Sequence, residues 1–140
     1  MAEPDTIERL EFTVDGIPVP QGSKRAFNVG KRAVVVDTNK VTLKPWRAHV
    51  RQAAETALDG RTGFTEACFV LLDFHMPRPK TVIRLRPSVK PDIDKLARSI
   101  LDSLTDAGVL KDDSLVVSLH ARKHYADGKP GVRIVIGELA

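Results

Sequence analysis

Pro91-Asp92-Ile93-Asp94-Lys95-Leu96-Ala97-Arg98-Ser99-Ile100-Leu101-Asp102-Ser103-Leu104 is the stretch that decides how this 140-residue chain folds. Ile93, Leu96, Ala97, Ile100, Leu101 and Leu104 recur at the spacing of one apolar stripe on a helix. Asp94, Arg98 and Asp102 follow at intervals of four on the opposite face. Gly108 stands where a C-terminal cap belongs. The helix therefore turns one side to a core and the other to solvent or a ligand.

Working outward, Leu115 to Tyr125 and Val132 to Ile136 read as a strand pair joined by Asp127-Gly128-Lys129-Pro130-Gly131. Phe64 to His75 is an apolar run expected as a central strand. Pro77, Pro79 and Pro87 mark a long loop from Met76 to Lys90. Trp46, Val50, Ala53, Ala54, Ala57 and Leu58 form a second helical stripe, with Thr42 as its expected cap and Pro45 near the first turn. Asp59-Gly60 ends that helix. Leu10-Glu11-Phe12-Thr13-Val14 alternates as a half-buried strand does, and Ala33-Val34-Val35-Val36-Asp37 reads as another. Asn28-Val29-Gly30-Lys31 suits the turn of a hairpin. Residues 1–6 read as a polar tail. The expected order is β-β-β-α-β-α-β-β: a single α+β domain over residues 1–140, with a mixed or antiparallel sheet and two main helices.

Composition narrows the function. At 42% hydrophobic residues the chain has enough apolar surface for a real core. Lys plus Arg exceed Asp plus Glu by 22 to 18, a net charge of +4 that permits a polyanionic partner without requiring one. The uneven distribution says more. Arg78, Lys80, Arg84, Arg86 and Lys90 fall in a segment with no acid. Cys68 is the only cysteine, which rules out an internal disulfide and a cysteine-based metal site. Its apolar neighbours make it a small core residue. The opening residues lack the basic and apolar regions of a signal peptide, and no stretch reaches the ~18 apolar residues of a membrane span. No membrane association is expected, and the expected location is the cytoplasm.

Against this basic background, Asp92 and Asp94 stand at the start of the second helix, and Asp112 and Asp113 follow its end. Asp92 alone reads equally well as a helix N-cap. The helix to Asp106 rises about 21 Å at ~1.5 Å per residue. The seven residues from Ala107 to Asp113 reach at most about 25 Å at ~3.6 Å each, so a nearly straight return brings Asp113 back to Asp92 and Asp94. Three carboxylates that close must take up a proton or a cation. Hard oxygen ligands select Mg²⁺, with Mn²⁺ as a substitute, and such an ion favours phosphate chemistry. Arg98 either stabilises charge on a phosphate or pairs with Asp94 and Asp102, with the salt bridge slightly favoured. His120 and His124 share a strand face about 13 Å apart at ~3.3 Å per residue, too far for one metal.

Pro91-Asp92-Ile93-Asp94-Lys95-Leu96, Leu101-Asp102-Ser103-Leu104 and Ala107-Gly108-Val109-Leu110-Lys111-Asp112-Asp113-Ser114-Leu115-Val116-Val117 resemble the RusA family of Holliday junction resolvases. The close match spans residues 90–123. The resemblance implies a homodimeric, Mg²⁺-dependent endonuclease that cuts four-way DNA junctions, encoded by a bacterium or a phage. The family's catalytic, metal-binding acids fall on Asp92, Asp94 and Asp113, and Asp112 matches the neighbouring acid. Its catalytic lysine falls on Arg98, and its asparagine after the second acid is Lys95. A two-fold dimer presents two equivalent sites for two symmetric nicks. Gln21, Ser23, Lys24, Arg25, Arg78, Lys80, Arg84, Arg86, Lys90 and Lys95 are the candidate DNA contacts, each of them otherwise a solvated loop residue. Two other readings share these residues. One is a junction- or DNA-binding module without catalysis. The other is a metal-dependent nucleotide phosphohydrolase, which would need a closed pocket with a base-binding aromatic.

Overall fold

A computed structural model describes residues 7–22, 24–29, 32–37 and 40–139. Side chains are described for residues 7–22 and 42–139. The predicted tail at residues 1–6 and the phosphate contact expected from Ser23 lie outside these, as do the side chains of Lys24 and Arg25.

The elements follow the predicted order. β1 (Arg9–Asp15), β2 (Lys24–Val29) and β3 (Arg32–Asp37) precede α1 (Lys40–Leu58). β4 (Cys68–Met76), α2 (Ile93–Asp106), β5 (Val116–Tyr125) and β6 (Gly131–Glu138) complete the chain. β2 and β3 pair antiparallel with each other. The other strands form one mixed sheet in the order β1-β6-β4-β5. β4 is parallel to β5 and antiparallel to β6.

That order corrects one expectation. β5 and β6 are consecutive but not paired, because β4 lies between them. β6 is buried on both faces: Val132, Ile134 and Ile136 on one, Val135 and Gly137 on the other. Such a strand belongs inside a sheet, whereas β5 has no fully buried residue and takes an edge. The intervening turn therefore crosses two strand spacings, about 9.6 Å at ~4.8 Å each. The expected strand from Phe64 also starts later, at Cys68. Phe64 instead makes an isolated bridge with Leu110.

The core forms where the apolar faces meet. Val70, Leu72, Phe74 and Met76 of β4 pack with Val132, Ile134 and Ile136 of β6, with Leu10 and Val14 of β1, and with both helices. α1 buries Trp46, Val50, Ala54 and Leu58 as its spacing predicts, and Leu43 besides. It begins at Lys40, ahead of the Thr42 cap expected from sequence, so Pro45 lies inside the helix. Asp59 and Gly60 end it with positive φ angles of 54° and 74°. α2 buries Leu96, Ala97, Ile100 and Leu104. Ile93, the first residue of the helix, departs from the predicted stripe and is exposed. Ser99 and Ser103 are fully buried. The Ser99 hydroxyl donates to the Val19 carbonyl at 2.9 Å and the Ser103 hydroxyl to the Ser99 carbonyl at 2.8 Å. Small side chains here let the segment from Val19 to Gln21 lie on α2, where the Gln21 amide donates to the Lys95 carbonyl.

The opposite sheet face carries a charge network centred on buried Asp73. Its carboxylate accepts from Arg122 at 3.0 Å, lies 3.3 Å from His124 Nε2 and lies 3.5 Å from Arg133. Burial alone raises this carboxyl's pKa, but the hydrogen bonds from Arg122 and then His124 outweigh it, and the net shift is downward. A carboxylate shifted down in the folded state stabilises fully above its unfolded value of about 3.9 and loses that contribution as pH falls through the lower folded value. Asp73→Ala is expected to cost about 2 kcal/mol at neutral pH. Urea midpoints of wild type and variant should differ at pH 7 and converge at low pH. A gap that persists undiminished in acid would rule out the charge network as the cause.

Candidate active site

The first acids are placed by the turn that starts α2. Asp92 is the N-cap residue, with φ −71° and ψ 138°, yet its side chain makes no capping hydrogen bond. The cap reading of this carboxylate therefore does not account for it. Its salt-bridge partner is Lys95 Nζ at 3.6 Å, and half of the side chain is exposed. The Lys90–Pro91 peptide just before it is cis.

Lys123 holds this turn from beneath. Its ammonium donates to the carbonyls of Val89 at 2.8 Å and Pro91 at 2.9 Å. It thereby ties β5 to the residues that deliver Asp92. Sequence reading missed this residue. The available signal was position: in the strand register Lys123 lies opposite Phe74, on the helix-covered face where Leu72 and Ala121 also pair.

Asp94 lies exposed in the first turn of α2, and Arg98 is exposed one turn later. The slightly favoured salt bridge from Arg98 to Asp94 and Asp102 does not form. Arg47 of α1 lies 4.0 Å from Asp102 and 2.9 Å from Asp106 instead. Helix–helix packing supplies a nearer cation, and Arg98 keeps its guanidinium toward solvent.

The second acid pair opens a short 3-10 turn, Asp113–Leu115, with Asp112 as its N-cap, and the turn contacts α2. The two acids have different duties. The Asp112 carboxylate caps this turn, accepting from the Ser114 amide at 2.8 Å. Hydrogen bonding to Ser114, through its side chain and then its backbone amide, holds Asp112 below the ordinary carboxylate value. Asp113 is exposed and makes no side-chain hydrogen bond or salt bridge among the described residues. Asp112 is thus committed to the turn, and Asp113 is free for chemistry. Among the described residues, no three His, Cys, Asp or Glu side chains are gathered closely enough to hold a metal ion. The donor chemistry of Asp92, Asp94 and Asp113 nevertheless fits a hard divalent cation. All three present anionic oxygens: Asp94 and Asp113 make no side-chain hydrogen bond or salt bridge among the described residues, and Asp92 pairs only with the Lys95 ammonium at 3.6 Å.

Beside Asp92 opens a groove of about 930 Å³ between residues 17–20, the 77–91 loop and the end of β5. Arg84, Lys90, Lys95 and Lys123 line it with several prolines. Two of the expected DNA contacts brace this loop. Arg78 donates to the carbonyls of Val82 and Arg84 at 3.3 and 3.1 Å and lies 5.2 Å over the Tyr125 ring. Arg84 donates to the Tyr125 hydroxyl at 2.9 Å. Lys80, Arg86 and Lys90 project to solvent. A braced basic loop thus lies beside Asp92 at the start of α2.

The chain belongs to the RusA endodeoxyribonuclease family, matching the family described as Endodeoxyribonuclease RusA over residues 15–137. It is 43% identical to "Crossover junction endodeoxyribonuclease RusA" of Aquifex aeolicus, over 93% of this chain and 92% of that one. It is 30% identical to "Uncharacterized protein YqaN" of Bacillus subtilis, over 94% of this chain and 97% of the relative.

Proposed function

We propose that this protein resolves four-way DNA junctions by paired symmetric nicks, as a Mg²⁺-dependent homodimer acting in recombination and repair in the cytoplasm of a bacterium or its phage. The observation that carries the reading is the set of exposed carboxylates at the two ends of α2, Asp92, Asp94 and Asp113, with Asp92 lining a braced basic groove and Asp94 and Asp113 unpaired among the described residues. No helix among the described residues is long and apolar enough to cross a membrane.

Asp92, Asp94 and Asp113 would hold the ion, with Mn²⁺ as a substitute and Asp112 fixing the turn beside them. When bound, the ion supplies Lewis-acid polarisation of a phosphoryl oxygen and lowers the pKa of a water. Lys123 fixes the backbone that presents Asp92. Arg98, exposed one turn after Asp94, would stabilise the charge that builds on the phosphoryl oxygens during in-line attack. An arginine in this place supplies charge and hydrogen bonds but does not readily donate a proton. Lys80, Arg86 and Lys90 neutralise phosphates along the flanking strand, so binding falls steeply with salt.

The test is cleavage of a labelled synthetic four-way junction, with Mg²⁺ or EDTA, beside a linear duplex of the same sequence. Symmetric nicks confined to the junction with Mg²⁺ are expected. Tight binding without nicks in either Mg²⁺ or Mn²⁺ would remove the catalytic reading.

A further inference from the structure

The tip of the 77–91 loop carries two bare apolar side chains. Ile83 is 93% exposed and Leu85 86% exposed, the highest values among the exposed large hydrophobics of the described residues. Single exposed aliphatics are ordinary on protein surfaces. Here the backbone beneath them is built to hold them out. Arg78 ties the carbonyls on either side of Ile83, those of Val82 and Arg84. The Val82 amide donates to the Pro79 carbonyl at 3.1 Å and the Ser88 amide to the Arg86 carbonyl at 2.8 Å. Pro87 is buried, and Arg84 anchors the loop to Tyr125.

We propose that Ile83 and Leu85 form an apolar wedge that inserts against unstacked bases at the branch point of a DNA junction. This rests on the junction-nuclease reading above. The charge around the tip selects the occupant: residues 78–90 hold five cations and no acid. Apolar side chains between cations match a base face between phosphates, the arrangement seen where aliphatic wedges enter base steps. An isologous contact centred on the tip would bring the arginines of two copies together, which disfavours a second protein chain there. Position agrees as well. Leu85 is seven residues from Asp92, within about 25 Å at ~3.6 Å per residue, and Arg84 lines the same groove as Asp92. A wedge at the branch would thus set how far from the crossover the nick falls.

The test places 2-aminopurine at the branch of a synthetic four-way junction, or within one arm, and adds wild type or the Ile83→Ser/Leu85→Ser variant in EDTA. Wild type should raise branch fluorescence and leave the arm probe unchanged. The variant should lose the rise, with its junction-over-duplex preference falling at least about tenfold while duplex affinity holds. Ile83→Val/Leu85→Met should restore both. A double-serine variant that still unstacks the branch and cuts the junction at the wild-type rate overturns the wedge and leaves the nuclease reading intact. A variant whose sedimentation coefficient drops shows that the tip packs against a second chain and also overturns it. If wild type neither binds nor cuts the junction, both readings fall together.

Discussion

Asp94→Asn is expected to lower junction cleavage by at least about 10²–10³-fold while leaving the fold and DNA binding intact. The substitution keeps the size of the side chain and removes its charge. Asp94 makes no salt bridge or side-chain hydrogen bond among the described residues, so no packing or pairing depends on it. The only structural loss is its interaction with the N-terminus of α2, about 0.5 kcal/mol. Removing an anion from a surface that receives phosphates should leave junction affinity unchanged or tighten it. Asp112→Asn should behave differently. An amide oxygen still accepts from Ser114, so cleavage should fall far less. Single-turnover cleavage and gel shifts on both variants separate the two roles. Wild-type cutting by Asp94→Asn would show that the acid site is misassigned. Equal losses in both variants would show that the charge of Asp112 is needed as much as that of Asp94, and that Asp112 is more than a cap.

Much of the scaffold was legible because it rests on local periodicity. The α2 stripe recurs strictly enough that Leu96, Ile100 and Leu104 are fully buried as spaced. The acid pairs were legible because clustered carboxylates need a reason on a basic chain. Sheet order was not, because the turn at residues 127–131 looks the same whether it joins neighbours or spans a third strand. The burial of β6 on both faces was the clue, in the apolar run Ile134-Val135-Ile136. Asp102 drew Arg98 as a partner on helical spacing, and tertiary packing brought Arg47 instead. Lys123 escaped notice because its role lies between elements: a strand cation that holds loop carbonyls is visible only once the loop is folded over it. Arg78 and Arg84 count as basic residues in sequence and as braces in structure for the same reason.

The link between scaffold and site makes Gly63→Ala the most damaging small substitution expected here. Gly63 needs no unusual backbone angle. Its constraint is space: an added Cβ would collide with the Gly108 carbonyl oxygen and stand 2.7 Å from that of Val109. Both neighbours are backbone and cannot rotate away. The segment is also laced on each side, with the Phe64 amide donating to the Val109 carbonyl at 2.8 Å and the Lys111 amide to the Phe64 carbonyl at 3.1 Å. Phe64, Val109 and Leu110 are buried around it. Admitting the methyl therefore means breaking this lacing, at a cost of about 3 kcal/mol, or roughly 10 °C in Tm. Lys111 lies two residues before Asp113, so the same displacement moves a candidate catalytic carboxylate relative to α2. A misplacement near 1 Å lowers rates by about 10²-fold, so cleavage should fall even at temperatures where the variant remains folded. Gly128→Ala is the control, because nothing lies within 4 Å of its added Cβ, and it should change stability by less than about 0.5 kcal/mol. Thermal melts and single-turnover rates on the pair test both links. A Gly63→Ala protein that melts like wild type would refute the close approach. One that melts early but cuts at full rate when folded would detach this strap from the site.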